Sequence, residues 1–138
     1  KYASEKGIYK GAYIITDSKG IPDVIIIASG SEIYLALSAA EALKNEGIKI
    51  RVVNMASFKI FDEQSDEYKE EVLPASIERR IAIEAGASLS WYKYVGLKGD
   101  IIGVDRFGAS APYKIIFEKY GIDIDNIIKR TKRLIGLT

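Results

Sequence analysis

Two residue types are missing from this 138-residue chain, cysteine and histidine. Without cysteine there is no disulfide, no thiolate nucleophile and no cysteine-held metal. Without histidine the commonest general base and the commonest metal ligand are both gone. Carboxylate, lysine and tyrosine chemistry remain, which leaves the chain poorly equipped to catalyse alone. An excess of one charge is lacking too: 20 lysines and arginines face 19 aspartates and glutamates, a net +1. That balance argues against nucleic-acid or membrane-surface binding driven by net charge. No apolar run approaches the ~20 residues of a membrane span and no signal-peptide pattern occurs, which points to a cytoplasmic protein. The single methionine is Met55 and the chain opens at Lys1, so it reads as a piece of a longer polypeptide.

Known site motifs are absent as well. There is no G-x-x-x-x-G-K phosphate cradle, no G-x-G-x-x-G fingerprint, no nucleophile elbow, no zinc pattern and no EF-hand loop.

What is present is enough for one domain with a core of its own, 48% hydrophobic and 28% charged. Residues 1–10 read as a polar, irregular arriving linker and residues 11–138 as a single domain. The organising stretch is Val24 to Ala28, five apolar residues with three isoleucines, bounded by Pro22-Asp23 and Gly30. So short an apolar run without alternation predicts a strand buried on both faces, central in a parallel sheet. Ser29-Gly30-Ser31 is then a tight turn at its carboxyl end, with Ser31 placed to cap the next helix. Turns of this kind often hold anions in α/β proteins.

Along the chain, Gly11 to Thr16 reads as a first strand. Its connection to Val24 is too short for a crossover, so it is antiparallel and lies toward an edge. Ser31 to Asn45 predicts a helix with Ile33, Leu37, Ala40 and Leu43 inward and Gly47 as its stop. Ile48 to Asn54 alternates, with Lys49 and Arg51 on the opposite face from Ile48, Ile50 and Val52. Phe58 to Leu73 is acidic, one or two short helices with Ser65 capping the second. Its carboxylates are read as a solvated surface, and no metal-loop spacing is found among them. Arg80 to Glu84 and Ile101 to Val104 are further strands, separated by a short aromatic helix ending at Gly96. A helix capped by Ser110 follows, then a last one capped by Asp123 with Ile124, Ile127, Ile128, Thr131 and Ile135 inward. Lys129, Arg130, Lys132 and Arg133 crowd its end, where cations favour the helix dipole. Strands separated by helices predict a three-layer α/β/α sandwich around a five-stranded sheet. The carboxylates Asp23, Glu32, Glu84 and Asp105 are placed to gather near the sheet, without establishing a catalytic pair.

Several stretches together resemble the C-terminal domain of the transketolase family. They are Lys10 to Tyr13, Pro22 to Glu32, Arg51 to Met55, Val72-Leu73-Pro74, Glu84-Ala85-Gly86, Trp91 with Lys93 to Gly96, and Gly103 to Pro112. Ser29 stands where many members have threonine. The resemblance implies a mixed sheet of order 1-3-2-4-5 with strand 1 antiparallel. It also implies a homodimeric parent enzyme, using thiamine diphosphate and a divalent metal such as magnesium, that moves a two-carbon ketol unit between sugar phosphates. The family's diphosphate motif, activating glutamate and channel histidines have no counterpart here, since Gly99-Asp100 follows Lys98 and is not that motif. No catalytic, cofactor-binding or metal residue is therefore carried over, and the partners implied are the N-terminal and middle domains of the parent. The sheet order places Ser29, Gly30, Ser31, Glu84 and Gly86 at a topological switch point, with Asp105 and Arg106 bordering the same crevice. The expected role is structural support of the dimer. The alternative is a regulatory small-anion or nucleotide site at that crevice, and a small dehydrogenase-like nucleotide domain is the least favoured reading, lacking the glycine fingerprint.

Overall fold

The computed structural model describes residues 5–84, 91–103 and 122–137. Five strands form one sheet: β1 (Ala12–Thr16), β2 (Val24–Ala28), β3 (Ile50–Met55), β4 (Arg80–Glu84) and β5 (Asp100–Gly103). Their order is β1-β3-β2-β4-β5, parallel throughout except for β1, which runs antiparallel to β3 on the edge. In register, Ile26 lies beside Val52 and Ile81, so β2 is central. All five of its residues are fully buried. Each buried isoleucine there contributes roughly 1.5–3 kcal/mol of burial free energy, the reason an unbroken apolar run is affordable only at this position.

Two layers cover the sheet. On one face lie α1 (Glu32–Asn45) and α5 (Ile124–Leu134), packed over Val24, Ile26, Ala28, Ile50, Val52, Ile81 and Ile83. On the other lie α2 (Phe58–Asp62), α3 (Asp66–Val72) and α4 (Tyr92–Val95), over Ile25, Ile27, Val53 and Ala82. There Phe58 stacks on Tyr94 at 4.7 Å and meets Trp91 edge-on at 4.8 Å. Among the described residues no helix is long and apolar enough to cross a membrane.

Local chemistry explains the helix ends. Ser57 and Ser65 accept from the backbone amides of Ile60 and Tyr68, capping α2 and α3, and Asp123 caps α5 through Asn126. α1 closes with a paired return: Gly47 N donates to Lys44 O at 2.9 Å and Ile48 N to Leu43 O at 3.2 Å. Gly47 has φ +85°, the left-handed conformation this motif needs.

The structure departs from expectation at several points. Residues 5–10 wind into a 3-10 helix rather than an irregular segment, and it packs against β1. Ser31 stands at the N-cap position of α1 but makes no side-chain capping bond, because its backbone is already helical. The inward stripe of α1 is Ala36, Ala39, Ala40 and Leu43, with Ile33 and Leu37 only partly buried at its flanks. Small alanines let the helix lie close to the sheet, and the larger side chains splay to the sides. Arg51 points to the face opposite Ile50 and Val52, as the alternation implied, and is buried there under α3. The fifth strand covers Asp100–Gly103 rather than 101–104. Position 104 and the helix expected after Ser110 lie outside the described residues, as does the start of the aromatic helix at 88–90.

Candidate functional site

The carboxyl edge of the sheet is where the crevice residues were expected, and the register brings part of the set together. Ala28 of β2 pairs with Ile83 of β4 and with Asn54 of β3. Ser29 and Glu84 therefore leave adjacent strands at the same end, directly below the start of α1. Gly86, Asp105 and Arg106 lie outside the described residues. Asp23 does not join the group. It precedes β2 at the opposite end of the sheet, where its carboxylate accepts from Lys49 N at 2.9 Å. Five residues at about 3.3 Å each put roughly 16 Å between the two ends, so Asp23 cannot act with Glu32 or Glu84.

At the turn itself Gly30 takes φ +58°, the conformation that swings the chain from strand into helix. Ser29 O accepts from Glu32 N at 3.2 Å and Gly30 O from Ile33 N at 3.3 Å. The decisive neighbour is Glu32, only 3% exposed. Its Oε2 accepts from Ser31 Oγ at 3.3 Å and lies 3.7 Å from where a side chain on Gly30 would begin. A carboxylate of the chain itself thus lies over the first turn of α1. Negative charge there is favoured by the partial positive charge of the helix terminus, an interaction worth about 0.3–2 kcal/mol.

Buried polar side chains that pattern reading did not single out sit elsewhere. Asn54, on the α1 side of β3, donates through Nδ2 to the Tyr13 hydroxyl at 3.3 Å, while its Oδ1 is buried with no partner among the described residues. Arg80 spreads its guanidinium over four backbone carbonyls, those of Ile77, Leu73, Pro74 and Tyr94, at 2.6–3.1 Å. Burial, only partly offset by Glu70, pulls its pKa below the usual arginine value. The Tyr94 hydroxyl donates to both oxygens of Asp62 at 2.9 Å, and Lys93 Nζ donates to the same carboxylate at 2.9 Å. Burial, the bond to Asp62 and its negative charge together push the Tyr94 phenol well above its ordinary range. A tyrosine held neutral in this way is a hydrogen-bond donor and not a base. A basic residue inside an apolar strand, as with Arg51 and Arg80, is the signal that could have marked these sites.

Among the described residues no cluster of three or more aspartates and glutamates could hold a metal ion. A cavity of about 480 Å³ opens at the amino ends of β2 and β4, lined by Asp23, Ile77, Glu78, Arg79, Lys98 and Leu134. It is on the side of the sheet away from the Ser29–Ser31 turn.

Comparison with known proteins agrees with this arrangement. The model of the family described as the Transketolase-like TK C-terminal domain matches residues 11–123. The chain is 52% identical over 130 residues to a transketolase of Aquifex aeolicus, an alignment covering 94% of this chain and 19% of the relative. Among solved structures, a transketolase from Leishmania mexicana superposes with a TM-score of 0.85 at 36% identity, covering 96% of this chain and 19% of that one. A transketolase from Pichia stipitis, solved in complex with sedoheptulose-7-phosphate, superposes with a TM-score of 0.84 at 32% identity, covering 97% and 19%. The chain spans about a fifth of the length of these relatives. With the matched family model, the shared sheet order and these identities in hand, the chain belongs to the transketolase C-terminal domain family.

Proposed function

We propose that this chain is the C-terminal domain of a transketolase and serves it as a structural, non-catalytic domain supporting the pairing of two subunits in the cytoplasm. The observation that carries the reading is 52% identity across nearly the whole chain to a protein about five times longer. The parent would transfer a two-carbon ketol unit between sugar phosphates, in keeping with the sugar phosphate bound by the Pichia stipitis relative. Thiamine diphosphate supplies such enzymes with the carbanion that attacks the ketose carbonyl. Among the described residues no cluster of three or more carboxylates is gathered for the metal, and the Glu32 carboxylate lies at the start of α1 beside Ser31. No chemical step is therefore assigned to them.

What the chain's own residues contribute is rigidity. Arg51, Arg80 and Arg130 each tie separate elements together: Arg51 joins β3 to the β1–β2 turn and α3, Arg80 joins β4 to α4, and Arg130 joins α5 to Asp100 of β5. The alternative of a regulatory anion or nucleotide site at the Ser29–Ser31 turn is disfavoured by the Glu32 carboxylate. The test is an assay of ketol transfer from a ketose phosphate to an aldose phosphate, with thiamine diphosphate and magnesium supplied. Activity is expected from the full-length polypeptide carrying this chain and not from the 138-residue chain alone. Turnover by the isolated chain would overturn the structural role, and an inactive full-length protein would overturn the parentage.

A further inference from the structure

The amino edge of the sheet carries two adjoining cavities and two exposed large apolar side chains. The cavity of about 480 Å³ is walled by Asp23, Glu78, Arg79 and Lys98, and another of about 240 Å³ is lined by Val95 and Leu97. Ile77, Glu78 and Lys98 line both, so the two form one surface. Leu97 is fully exposed, and Ile21, next to the lining residue Pro22, is 74% exposed. The turn that carries Leu97 is tied down. Gly99 N donates to Gly96 O at 3.3 Å, Gly96 N donates to Tyr92 O at 2.9 Å, and Lys98 Nζ pairs with Glu78 at 3.2 Å. A Cβ on Gly99 would lie 2.7 Å from the Arg80 carbonyl oxygen, so this backbone packs against β4 too closely for any side chain. The turn therefore presents its leucine in a fixed position beside the larger cavity.

A projecting apolar side chain and a hollow on one surface can serve each other in two copies related by a two-fold axis, because such a contact uses the same patch twice. The charges fit that symmetry. Asp23 and Glu78 are offset by Arg79 and Lys98, so the wall carries both signs in equal number and can face itself with acid opposite base. A nucleic acid, or any partner of one sign, finds no matching field there. Chain direction keeps the rest of the polypeptide at the other edge. Ala12, the first residue of β1, pairs with Met55, the last of β3, so the chain enters the domain at the carboxyl edge. The matched family model is that of a C-terminal domain, and the relatives carry about four-fifths of their length outside the matched part. We propose that the amino edge is a contact between two copies of the parent transketolase, with Leu97 of each copy seated in the cavity between Asp23 and Lys98 of the other. This rests on the reading of the chain as a transketolase domain.

The test uses the full-length polypeptide carrying this chain, followed by sedimentation velocity. Leu97→Glu and Ile21→Glu change side chains that are exposed in the single chain, so each variant folds. Each is expected to lower the mass of the largest species about twofold, the loss of one two-fold contact. Tyr34→Glu on α1, 67% exposed, is the control and leaves the mass unchanged. A mass insensitive to Leu97→Glu would overturn the contact, and so would equal losses in all three variants. Leu97→Cys supplies a second readout. Leu97 borders the cavity that its counterpart enters, so the two positions come within reach of a short bismaleimide linker. This chain has no cysteine of its own, and peptide mass spectrometry is expected to find position 97 linked to position 97. Single labelling there without any such link counts against the contact. Ketol transfer measured on the same preparations separates the two readings. An active enzyme without the link overturns the contact alone, and an inactive one that forms it overturns the parentage and leaves the contact standing.

Discussion

Arg51 and Asp17 form a two-pronged ion pair, Nε to Oδ1 at 2.9 Å and Nη2 to Oδ2 at 3.0 Å, with Arg51 anchored in the buried third strand and Asp17 in the turn after the first. The remaining nitrogen of the guanidinium, Nη1, donates to Glu71 O and Val72 O at the end of α3. The two partners are unequally buried, 11% exposed for the Arg51 side chain and 37% for Asp17. Losing Asp17 leaves a buried cation with carbonyl partners only, whereas losing Arg51 leaves an anion that water can reach. Asp17→Ala is therefore expected to cost about 1–2 kcal/mol, between the values for exposed and fully buried pairs, and more than Arg51→Met. Urea unfolding of the two variants decides it, and the reverse order would contradict this account of the pair.

Asp62 and Tyr94 give the domain a pH dependence at both extremes. Burial raises the Asp62 carboxyl, but the bonds from Lys93 and Tyr94 and the charges of Lys93 and Lys69 outweigh it, and the net pKa is below 3.8. A depressed carboxyl adds stability that is present above its unfolded value and lost as pH falls through the folded one. Tyr94 is the opposite case, raised above 10.0 chiefly by burial. Its contribution is complete below pH 10 and fades as pH rises further, because the folded state then holds the extra proton. Urea unfolding from pH 2 to 11 should show an acid limb that Asp62→Asn flattens and an alkaline limb that Tyr94→Phe flattens. The acid effect is small, since the Asp62 side chain is 36% exposed.

Glycines with the same backbone angle are expected to differ in their tolerance of alanine. Gly11 and Gly47 have φ +84° and +85°, but a Cβ at Gly47 meets nothing within 4 Å while one at Gly11 runs into the backbone of α2. Gly47→Ala pays only the left-handed conformation, about 1 kcal/mol. Gly11→Ala must also push the 3-10 helix off α2, for a total beyond about 2 kcal/mol. Thermal unfolding of both variants tests the ranking, and equal losses would mean that the close approach at Gly11 relaxes freely.

Strand positions were legible in the sequence wherever burial on both faces left an apolar run. Val24–Ala28 and Arg80–Glu84 were read with the bounds observed. The cap at Ser65 was legible because a serine side chain before an acidic helix has one strong use. Arg51 was not, because a cation between two apolar residues mimics the outward face of an alternating strand, and only its distant partner Asp17 shows otherwise. Ser31 misled for a related reason: residue type marks a capping position, but the φ and ψ that decide whether the side chain can reach back are set by Gly30 before it. At the candidate crevice, sequence supplied the turn and its place at the end of β2. It could not supply the direction of the Glu32 side chain, which is buried beside Ser31 and depends on three-dimensional packing.

Asn54 offers a case where a substitution is expected to stabilise. Its Oδ1 is sealed from solvent and has no hydrogen-bond partner among the described residues, and its Nδ2 makes one long bond of 3.3 Å to a tyrosine hydroxyl. A sealed polar atom without a partner costs about 1–3 kcal/mol relative to water, while the bond returned is worth about 0.5–1.5 kcal/mol. Asn54→Val removes the orphan, keeps a similar volume and places a β-branched residue in a strand whose neighbours are Val52, Val53 and Met55. Tyr13 is half-buried, so its hydroxyl can turn to water when the amide is gone. The net expectation is a gain of about 1 kcal/mol, read as a higher urea midpoint at unchanged m-value. Asn54→Asp in the same strand should destabilise at neutral pH, since it would bury an unpaired charge where the amide now sits. A loss of stability in Asn54→Val would show that the amide is worth more than its visible bond to Tyr13.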